Sequence, residues 1–456
     1  MKRIAVGIFC FILISVSCIS KQPTESSRHQ TGHSGADAET ITVFFTGYEL
    51  GALKPCGCSG GQLGGLDRRS AVFDTVPEEQ RLIIDTGSLV KSESEQDLIK
   101  FNIIIQAFDL LGYDLIHFNR HDLEIIGNNF GSPDGYESIL NIMAPSGPLS
   151  SNTPSTFTQR FQFHEKLVDI TVATIDVNST PIEFIGELYF PAPEGDTMPR
   201  SSVNILILNR CDPELIESIA EKAPTVDCLI CPSESDDPHI VGDPNQRPLA
   251  FSIGRKGRNI AKLHIDTAQI ENTAKLSFQA QKVTEDLEQD QTLLNLYKDY
   301  QKLVKDANLL EKHPRFTLPD GLHYAGSDSC ASCHQYSYVE WMGKPHASAF
   351  ATLEKVGSQY DPECVKCHVV GMDYDSGFIS ESKTPLMKDV GCEVCHGPGS
   401  KHNAYPEQIK MPITEPDSVC IECHTPEHSS DYAGHEEEKL LLIQHWPEPN
   451  DLSDVK

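Results

Sequence analysis

The segment DVGCEVCHGPGSKH, residues 389–402, contains the pattern C-x-x-C-H, and the C-terminal third of the chain contains this pattern four times. The pattern attaches a c-type haem, because two thiols add to the vinyl groups of the haem and the adjacent histidine becomes an axial ligand of the iron. The motifs supply Cys330, Cys333 and His334; Cys364, Cys367 and His368; Cys392, Cys395 and His396; and Cys420, Cys423 and His424. We therefore expect four covalently bound haems c.

A zinc ribbon or a set of disulfides also uses paired cysteines, but neither requires a histidine after the second cysteine each time. All four pairs carry that histidine. Four haems in so short a region would replace an ordinary apolar core, with helices and loops wrapped around them. The sequence thus predicts a mainly α, haem-packed cytochrome domain at residues 320–450, in which electrons pass between neighbouring haems.

Histidines that could bind the other side of each iron are concentrated in the same region. Eleven of the 18 histidines lie between His313 and His445, and four of these belong to the motifs. The other seven are His313, His323, His346, His402, His428, His435 and His445. Because at most four are needed, their number does not decide whether one iron keeps an open position.

The sequence around the motifs resembles the cytochrome c554 family of tetrahaem cytochromes over about residues 322–432. The resemblance is carried by YAGSDSCASCHQYSYVEWMGKPHASAFATL and by the later stretches CVKCHVVG, DVGCEVCHGPGSKH and CIECHTPE. It implies His402 as the distal ligand of the first haem, opposite His334, and His346 as that of the third haem. The partner of His346 would then be His396. It also implies a five-coordinate second haem, with His368 as its only protein ligand. The candidates for the distal ligand of the fourth haem are His323, His428 and His435.

The first residues of the chain indicate export. The stretch MKRIAVGIFCFILISVSCISKQ has basic residues at its start and then an apolar run, residues 4–16, that is too short and too near the N-terminus for a good membrane span. Residues 1–18 are therefore predicted to be an export signal. SVSC resembles a bacterial lipobox, with Ser15 where leucine is preferred. One expectation is a lipoprotein anchored through Cys18, with residues 19–39 as a flexible tether, and the other is a cleaved, soluble periplasmic protein.

The charge of the chain limits the kinds of partner it can have. Its formal net charge is −29, with 66 acidic and 37 basic residues, which argues against binding to nucleic acid. We expect redox proteins in the periplasm or at the cell surface as partners, and contact with the membrane through a lipid on Cys18.

Short β-rich runs alternate with helical patterns over residues 40–283. The segment QDLIKFNIIIQAFDLLG has apolar residues at helical spacing and Gly112 at its end. The runs predicted to be strands are residues 41–45, 81–85, 114–118, 168–176, 203–208 and 259–266. Alternating strands and helices predict an α/β sandwich. A further amphipathic pattern predicts one linker helix at residues 284–314, ended by Pro314.

The order of motifs over about residues 41–279 resembles the calcineurin-like metallophosphoesterases, in particular the 5′-nucleotidase and SoxB-like branch. TGYELG (46–51) corresponds to the family's T-N-D-x-H-G, and GGLDRR (64–69) corresponds to G-G-L-x-R-R. DTGS (85–88) corresponds to D-x-G-D, and FNRH (118–121) corresponds to G-N-H-E. The resemblance implies an α/β sandwich of the metallophosphoesterase type.

The residues through which this family binds two metal ions are largely replaced. The corresponding positions here are Tyr48, Leu50, Ser88 and Asn119. The later histidine-rich loop corresponds to residues 228–236, which contain no histidine. A two-metal hydrolase needs its ions to activate water and to clamp the transition state, and one asparagine cannot hold two cations. We therefore expect no phosphatase or nucleotidase activity, although His121 and Asp122 could rebuild part of a site.

The segment LKPCGCSGGQLGGLDRR, residues 53–69, carries Cys56 and Cys58 and has too many glycines for a helix interior. In this fold such a loop lies at the same face as the loop that carries Cys228 and Cys231. We hypothesise that the first two thiols, with Cys228 or Cys231, form a site for a soft metal or for redox chemistry. A disulfide, which export would permit, and free inert thiols are the alternatives.

These features together predict an exported tetrahaem c-type cytochrome that relays electrons between redox partners. The degenerate sandwich would then be a docking platform or a platform for the thiol site. The alternative is a multihaem oxidoreductase that acts on a small nitrogen or sulfur compound. Its site would be an open haem iron or the Cys56 and Cys58 thiols.

Overall fold

The computed structural model describes residues 40–55, 61–131, 140–145, 155–163, 166–190, 200–267, 275–411, 416–426, 428–429 and 431–445. The export signal, the tether, Cys18, Cys56 and Cys58 lie outside these ranges, so the expectations about them stay predictions. No helix within the described ranges is both long and apolar enough to cross a membrane.

Two six-stranded sheets form the N-terminal part of the described chain. The strands are β1 (Thr40–Thr46), β2 (Arg81–Asp85), β3 (Leu115–His117), β4 (Ile142–Met143), β5 (Thr156–Phe163), β6 (Lys166–Ile175), β7 (Arg200–Leu208), β8 (Cys228–Cys231), β9 (His239–Ile240), β10 (Leu249–Ser252), β11 (Asn259–Asp266) and β12 (Lys275–Lys282). The first sheet has the order β12-β11-β1-β2-β3-β4, and the second has the order β5-β6-β7-β8-β10-β9. In the first sheet β1 to β4 are parallel and β11 and β12 add antiparallel pairs on one side. In the second sheet β6, β7, β8 and β10 are parallel, and β5 and β9 flank them as antiparallel edge strands.

The main apolar core lies between the two sheets. Along β1, Ile41, Val43 and Phe45 point into a cluster shared with the second sheet, whereas Phe44 belongs to a cluster on the other face, with the helices. This alternation follows from the period of two residues in a β-strand. The predicted α/β sandwich is confirmed, and each predicted strand lies within or overlaps a strand of the structure.

Helices cover the outer faces of the sandwich and make up most of the regular structure after it. They are α1 (Arg69–Phe73), α2 (Glu95–Leu111), α3 (Arg120–Asn129), α4 (Ile185–Tyr189), α5 (Pro213–Lys222), α6 (Gln291–Asp306), α7 (Leu309–Lys312), α8 (Gln335–Met342), α9 (Ala349–Val356), α10 (Pro362–Val365), α11 (Cys392–His396), α12 (Ser400–Ala404), α13 (Pro416–Val419) and α14 (Glu436–Leu442). The helix predicted to end at Gly112 is confirmed as α2. Ser94 caps its first turn by accepting a hydrogen bond from the Asp97 amide, and Gly112 ends it with a φ of 70°.

The predicted linker helix is shorter than expected and is divided in two. The Asp290 carboxylate accepts hydrogen bonds from the first amides of α6, so the helix begins there and not at residue 284. Asn308 has a φ of 53°, in the left-handed region, which separates α6 from α7. The prediction of one continuous helix over residues 284–314 is therefore wrong, because polar caps override the apolar periodicity.

After α7, the described chain consists of short helices and loops, without a strand in either sheet. Its buried apolar residues form one cluster, to which Phe350, Leu353, Val365 and Phe378 belong. The predicted mainly α character of this region is confirmed. This cluster is too small to form an apolar core for the whole region. Bound haems would supply the rest of the core.

Helix α6 joins this region to the sandwich. One side of α6 packs on α2, and the Tyr300 hydroxyl on α6 donates a hydrogen bond of 2.8 Å to the buried Asp361 carboxylate. Gln96 on α2 donates to the same carboxylate at 2.8 Å. Lys100 on α2 forms an ion pair of 2.6 Å with Glu363. These contacts fix the segment that leads directly into the second C-x-x-C-H motif.

Candidate haem centres

Three histidines of the C-x-x-C-H motifs each face a second histidine. The ring centroids are 6.1 Å apart for His334 and His402. They are 6.2 Å apart for His346 and His424, and also for the pair formed by His396 and His445. Each pair contains one motif histidine and one histidine from elsewhere in the region.

This separation is the one that a single metal ion between two imidazoles requires. Two metal–nitrogen bonds of about 2 Å span about 4 Å, and the two ring radii add about 2 Å. Directly packed rings can have the same separation, as Phe101 and Phe118 do at 6.1 Å, so the identity of the rings also matters: each pair contains a histidine of a C-x-x-C-H motif. The three pairs therefore fit an iron with two axial histidines, which is a coordination that c-type haem accepts.

Hydrogen bonds fix which ring nitrogen is available to a metal. Nδ1 of His402 donates to the Ile409 carbonyl at 2.6 Å, and Nδ1 of His445 donates to the Ile443 carbonyl at 3.1 Å. Because a carbonyl can only accept, Nδ1 of each ring carries a proton, and in the neutral tautomer Nε2 has the lone pair that can bind a metal. A ligand histidine normally has its other nitrogen bonded in this way, which sets its tautomer and orientation.

The structure places His402 opposite His334, as the resemblance implies, but the implied pairing of His346 with His396 is wrong. His346 lies opposite His424, and the third motif instead faces His445, which follows α14. The histidines expected to face His424 of the fourth motif were His323, His428 and His435. None of them does so, because the ring opposite His424 is that of His346. Sequence proximity misled the assignment, since ring pairing depends on how α14 folds back and not on distance along the chain.

Burial makes His346 a suitable metal ligand. Desolvation, and then the neighbouring histidines, lower the pKa of His346 to about 4. The ring is therefore neutral at physiological pH, and a neutral imidazole is the form that binds a metal.

The histidine of the second motif differs from the other three. Among the described residues, no other histidine ring is paired with His368. Its Nδ1 donates to the Ala349 carbonyl at 2.7 Å, so Nε2 is oriented as in a metal ligand. A haem attached at the second motif would thus receive one axial histidine from the described chain.

The motifs touch one another in a fixed order. The side chain of Cys330 lies beside that of Cys392, and the side chain of Cys423 lies beside that of Cys367. Cys395 of the third motif and Cys420 of the fourth motif are also neighbours, close enough for their charges to interact. The order of contact is therefore first, third, fourth and second motif.

A cavity of about 530 Å³ lies where the second and fourth motifs meet the sandwich. The C-terminal region contributes both cysteines and the histidine of each of these motifs, together with His346 and His428. The sandwich contributes residues 50–55, which follow β1, and also Lys91 and Lys100. The donor set and the position of this space fit covalently attached haem.

The segments that correspond to the phosphoesterase metal motifs follow β1, β2 and β3 at one edge of the first sheet, and the backbone there is left-handed at several non-glycine residues. Tyr48, Leu50 and Ser88 have φ values of 50°, 50° and 61°, which non-glycine residues rarely adopt. Ser88 and Asn119 are hydrogen-bonded to each other at 2.7 Å. Within the described ranges, no group of three or more histidine, cysteine, aspartate or glutamate side chains is placed to hold a metal ion.

The residues that could have rebuilt part of this site do not do so. Asp122 is buried and accepts hydrogen bonds from the backbone amides of Ser88, Leu89 and Asn119. Burial raises its pKa, and both oxygens serve to hold the loop after β2.

The speculative thiol site loses one of its proposed members. Cys231, at the end of β8, is bonded to Cys211 in a disulfide, so it is not a free ligand, and its assignment to a soft-metal site is wrong. Cys228 begins the same buried strand, and burial raises the pKa of its thiol. The buried run in β8 was the available sequence signal, because it places both side chains inside a strand and not in a loop. A site at Cys56 and Cys58 stays a hypothesis.

Comparison with known proteins gives different relatives for the two parts of the chain. Residues 329–397 match the family model described as cytochrome c554 and c-prime. Cytochrome c-554 of Nitrosomonas europaea is 35% identical over 105 residues, which cover 18% of this chain and 45% of that protein. The chain thus spans less than half the length of this curated relative.

Solved structures similar to the chain include phosphoesterases with low sequence identity. The calcineurin-like phosphoesterase YfkN from Bacillus subtilis has a TM-score of 0.42 and 10% identity, over 58% of this chain and 97% of that one. A putative 5′-nucleotidase from Staphylococcus aureus has a TM-score of 0.44 and 14% identity, over 80% of this chain and 72% of that one. The N-terminal part of the chain resembles these proteins, and its C-terminal part resembles the cytochrome c554 family, which carries covalently bound haem c and acts in electron transfer.

Proposed function

We propose that this protein is an exported electron-transfer cytochrome that binds four haems c, one at each C-x-x-C-H motif. The observation that carries the proposal is the set of three histidine pairs, each 6.1–6.2 Å apart and each including one motif histidine. Eight cysteines would form the thioether links, and seven histidines would bind iron: two at each of three haems and His368 alone at the second.

The contacts between motifs support a linear route for electrons. Haems attached at neighbouring cysteines lie close together, so electrons would pass in the order first, third, fourth, second, or in reverse. The first motif lies at the exposed end, where Cys333 is open to solvent. The second motif lies at the other end, against the sandwich. Redox partner proteins would exchange electrons at the exposed end.

Export and anchoring belong to the same proposal. Haem c is attached outside the cytoplasm in bacteria, which agrees with the export signal predicted at residues 1–18. Lipidation of Cys18 would hold the protein at a membrane, whereas cleavage without lipidation would release it into the periplasm. The sandwich, without metal ligands at its usual positions, would serve as a platform and not as a hydrolase.

The proposal is tested by counting haems and ligand-accessible irons in the full chain. Produced in a host that matures c-type cytochromes, the protein should contain four haems c per chain. Carbon monoxide should bind one of them after reduction, because an iron with two histidines resists an added ligand. Fewer than four haems, or stoichiometric zinc, would contradict the proposal.

A second candidate function follows from His368. An iron with one protein ligand, beside a cavity of about 530 Å³, could act on a small nitrogen or sulfur compound. The reduced protein would then be reoxidised by nitrite, hydroxylamine or sulfite at a rate that depends on substrate concentration. If none of these reoxidises it, electron relay is the better description.

A further inference from the structure

The sandwich presents positive charge to the cavity beside the second motif. Five cations line it, namely Lys54, Lys91, Lys100, Lys256 and Arg258. Two carboxylates, those of Asp361 and Glu363, also line it, so the lining has an excess of three positive charges. The chain as a whole carries a net charge of −29, so this wall is opposite in sign to the average surface.

The fold explains why these cations meet at one place. The parallel strands β1 and β2 end at the same edge of the first sheet, and the antiparallel β11 begins there. Lys54 follows β1, Lys91 follows β2, and Arg258 directly precedes β11. Loops at the carboxyl ends of parallel strands are the usual place for ligands in α/β folds. Here that edge faces the haem region instead of open solvent.

Two of these cations form ion pairs with carboxylates that lie outside the cavity lining. Lys54 lies 3.7 Å from Asp67, and Arg258 lies 2.6 Å from Asp236. Neither carboxylate lines the cavity, and each offsets part of the charge of the cation that it pairs with. Lys91 makes no ion pair with any residue of the described ranges.

We propose that the sandwich uses this cationic wall to bind carboxylate or oxyanion groups in the cavity beside His368. This inference rests on the proposed function, because it assumes a haem at the second motif. The anionic groups have two possible sources: the propionates of that haem, or a small diffusible oxyanion that approaches its iron. In both cases the degenerate edge of the sandwich has become one wall of a haem site, and its cations favour negative charge there.

The test uses the full haem-loaded protein with Lys54→Met and Lys91→Met combined, and Lys91→Glu as a charge reversal. Neither side chain is part of the buried core, so both variants should fold. Lys222→Met on α5 is the matched control, because this exposed lysine lies outside the cavity. Nitrite binding is titrated as the anionic probe, carbon monoxide binding as the neutral probe, and the midpoint potential of each haem is measured.

If a diffusible oxyanion is the ligand, the double variant should bind nitrite about tenfold more weakly, with a much smaller change for carbon monoxide. If the propionates are the ligand, nitrite binding should hold while the midpoint potential of one haem falls, because a lost cation favours the oxidised iron. Either result supports the proposal. It is overturned if the double variant and the charge reversal both leave nitrite binding and the midpoint potentials at the wild-type values, or if Lys222→Met changes them by as much as the cavity variants do. The haem count and carbon monoxide binding of the wild-type protein test the proposed function separately.

Discussion

Replacement of His445 by alanine tests the ligand assignment that sequence reasoning missed. The ring of His445 lies 6.2 Å from that of His396, a distance that two metal–nitrogen bonds of about 2 Å each and the ring radii account for. We expect the third haem to keep one axial histidine and to become accessible to carbon monoxide.

The expected change is one additional carbon monoxide molecule bound per chain, which a titration resolves clearly. The wild-type protein should bind one carbon monoxide per four haems after reduction, and His445→Ala should bind two. The matched control is His435→Ala, since His435 is exposed and faces no motif histidine. Both proteins are titrated with carbon monoxide after the haem content of each has been determined.

Two results would refute the reasoning. If His445→Ala still binds one carbon monoxide with four haems present, His445 is not an axial ligand. If His346→Ala opens the third haem and His445→Ala does not, His346 and not His445 is the axial partner of His396. The structure instead predicts that His346→Ala opens the fourth haem.

The other predictions concern the sandwich and its junction with the haem region. Arg69→Met should lower the free energy of unfolding by about 3–5 kcal/mol, because it strips the partner from Glu49 in a fully buried ion pair of 2.5 Å. Adding Glu49→Gln should recover part of this loss in urea melts, and no loss in the single variant would contradict the pair. Tyr300→Phe should cost about 1–2 kcal/mol, since buried Asp361 loses a donor at 2.8 Å; an unchanged unfolding midpoint would show that this bond does not stabilise the junction. Burial raises the pKa of Asp85 well above its ordinary value, so its contribution to stability is present at low pH and is lost as pH rises through the folded-state pKa. Asp85→Asn should therefore flatten that fall in stability with pH, and an unchanged pH profile would exclude Asp85 as its source.

Much of the sandwich was predictable because local periodicity and burial agree. The strand predicted at residues 41–45 is continuous and apolar, and it is buried on both faces of the first sheet. Strand β12 was not predicted, because it lies at the edge of the sheet and alternates exposed and half-buried residues. Its polar side chains give a weak signal, and its place is fixed by pairing with β11.

Some residues of the candidate site could be assigned from local sequence, and others depend on contacts between distant parts of the chain. The attachment cysteines and proximal histidines follow from a five-residue motif, so sequence alone assigns them. The distal ligands depend on chain segments that fold back from a distance, and His445 lies 49 positions after His396. The disulfide between Cys211 and Cys231 likewise joins the segment after β7 to the end of β8, and these strands are neighbours only in the folded sheet.

Electron paramagnetic resonance of the oxidised full-length protein tests the central claim most directly. Irons with two histidines give low-spin signals, and an iron with one histidine gives a high-spin signal. We expect three low-spin haems and one high-spin haem per chain, from the three histidine pairs and the unpaired His368. Four low-spin haems would contradict the open second site, and two or more high-spin haems would contradict the paired ligands.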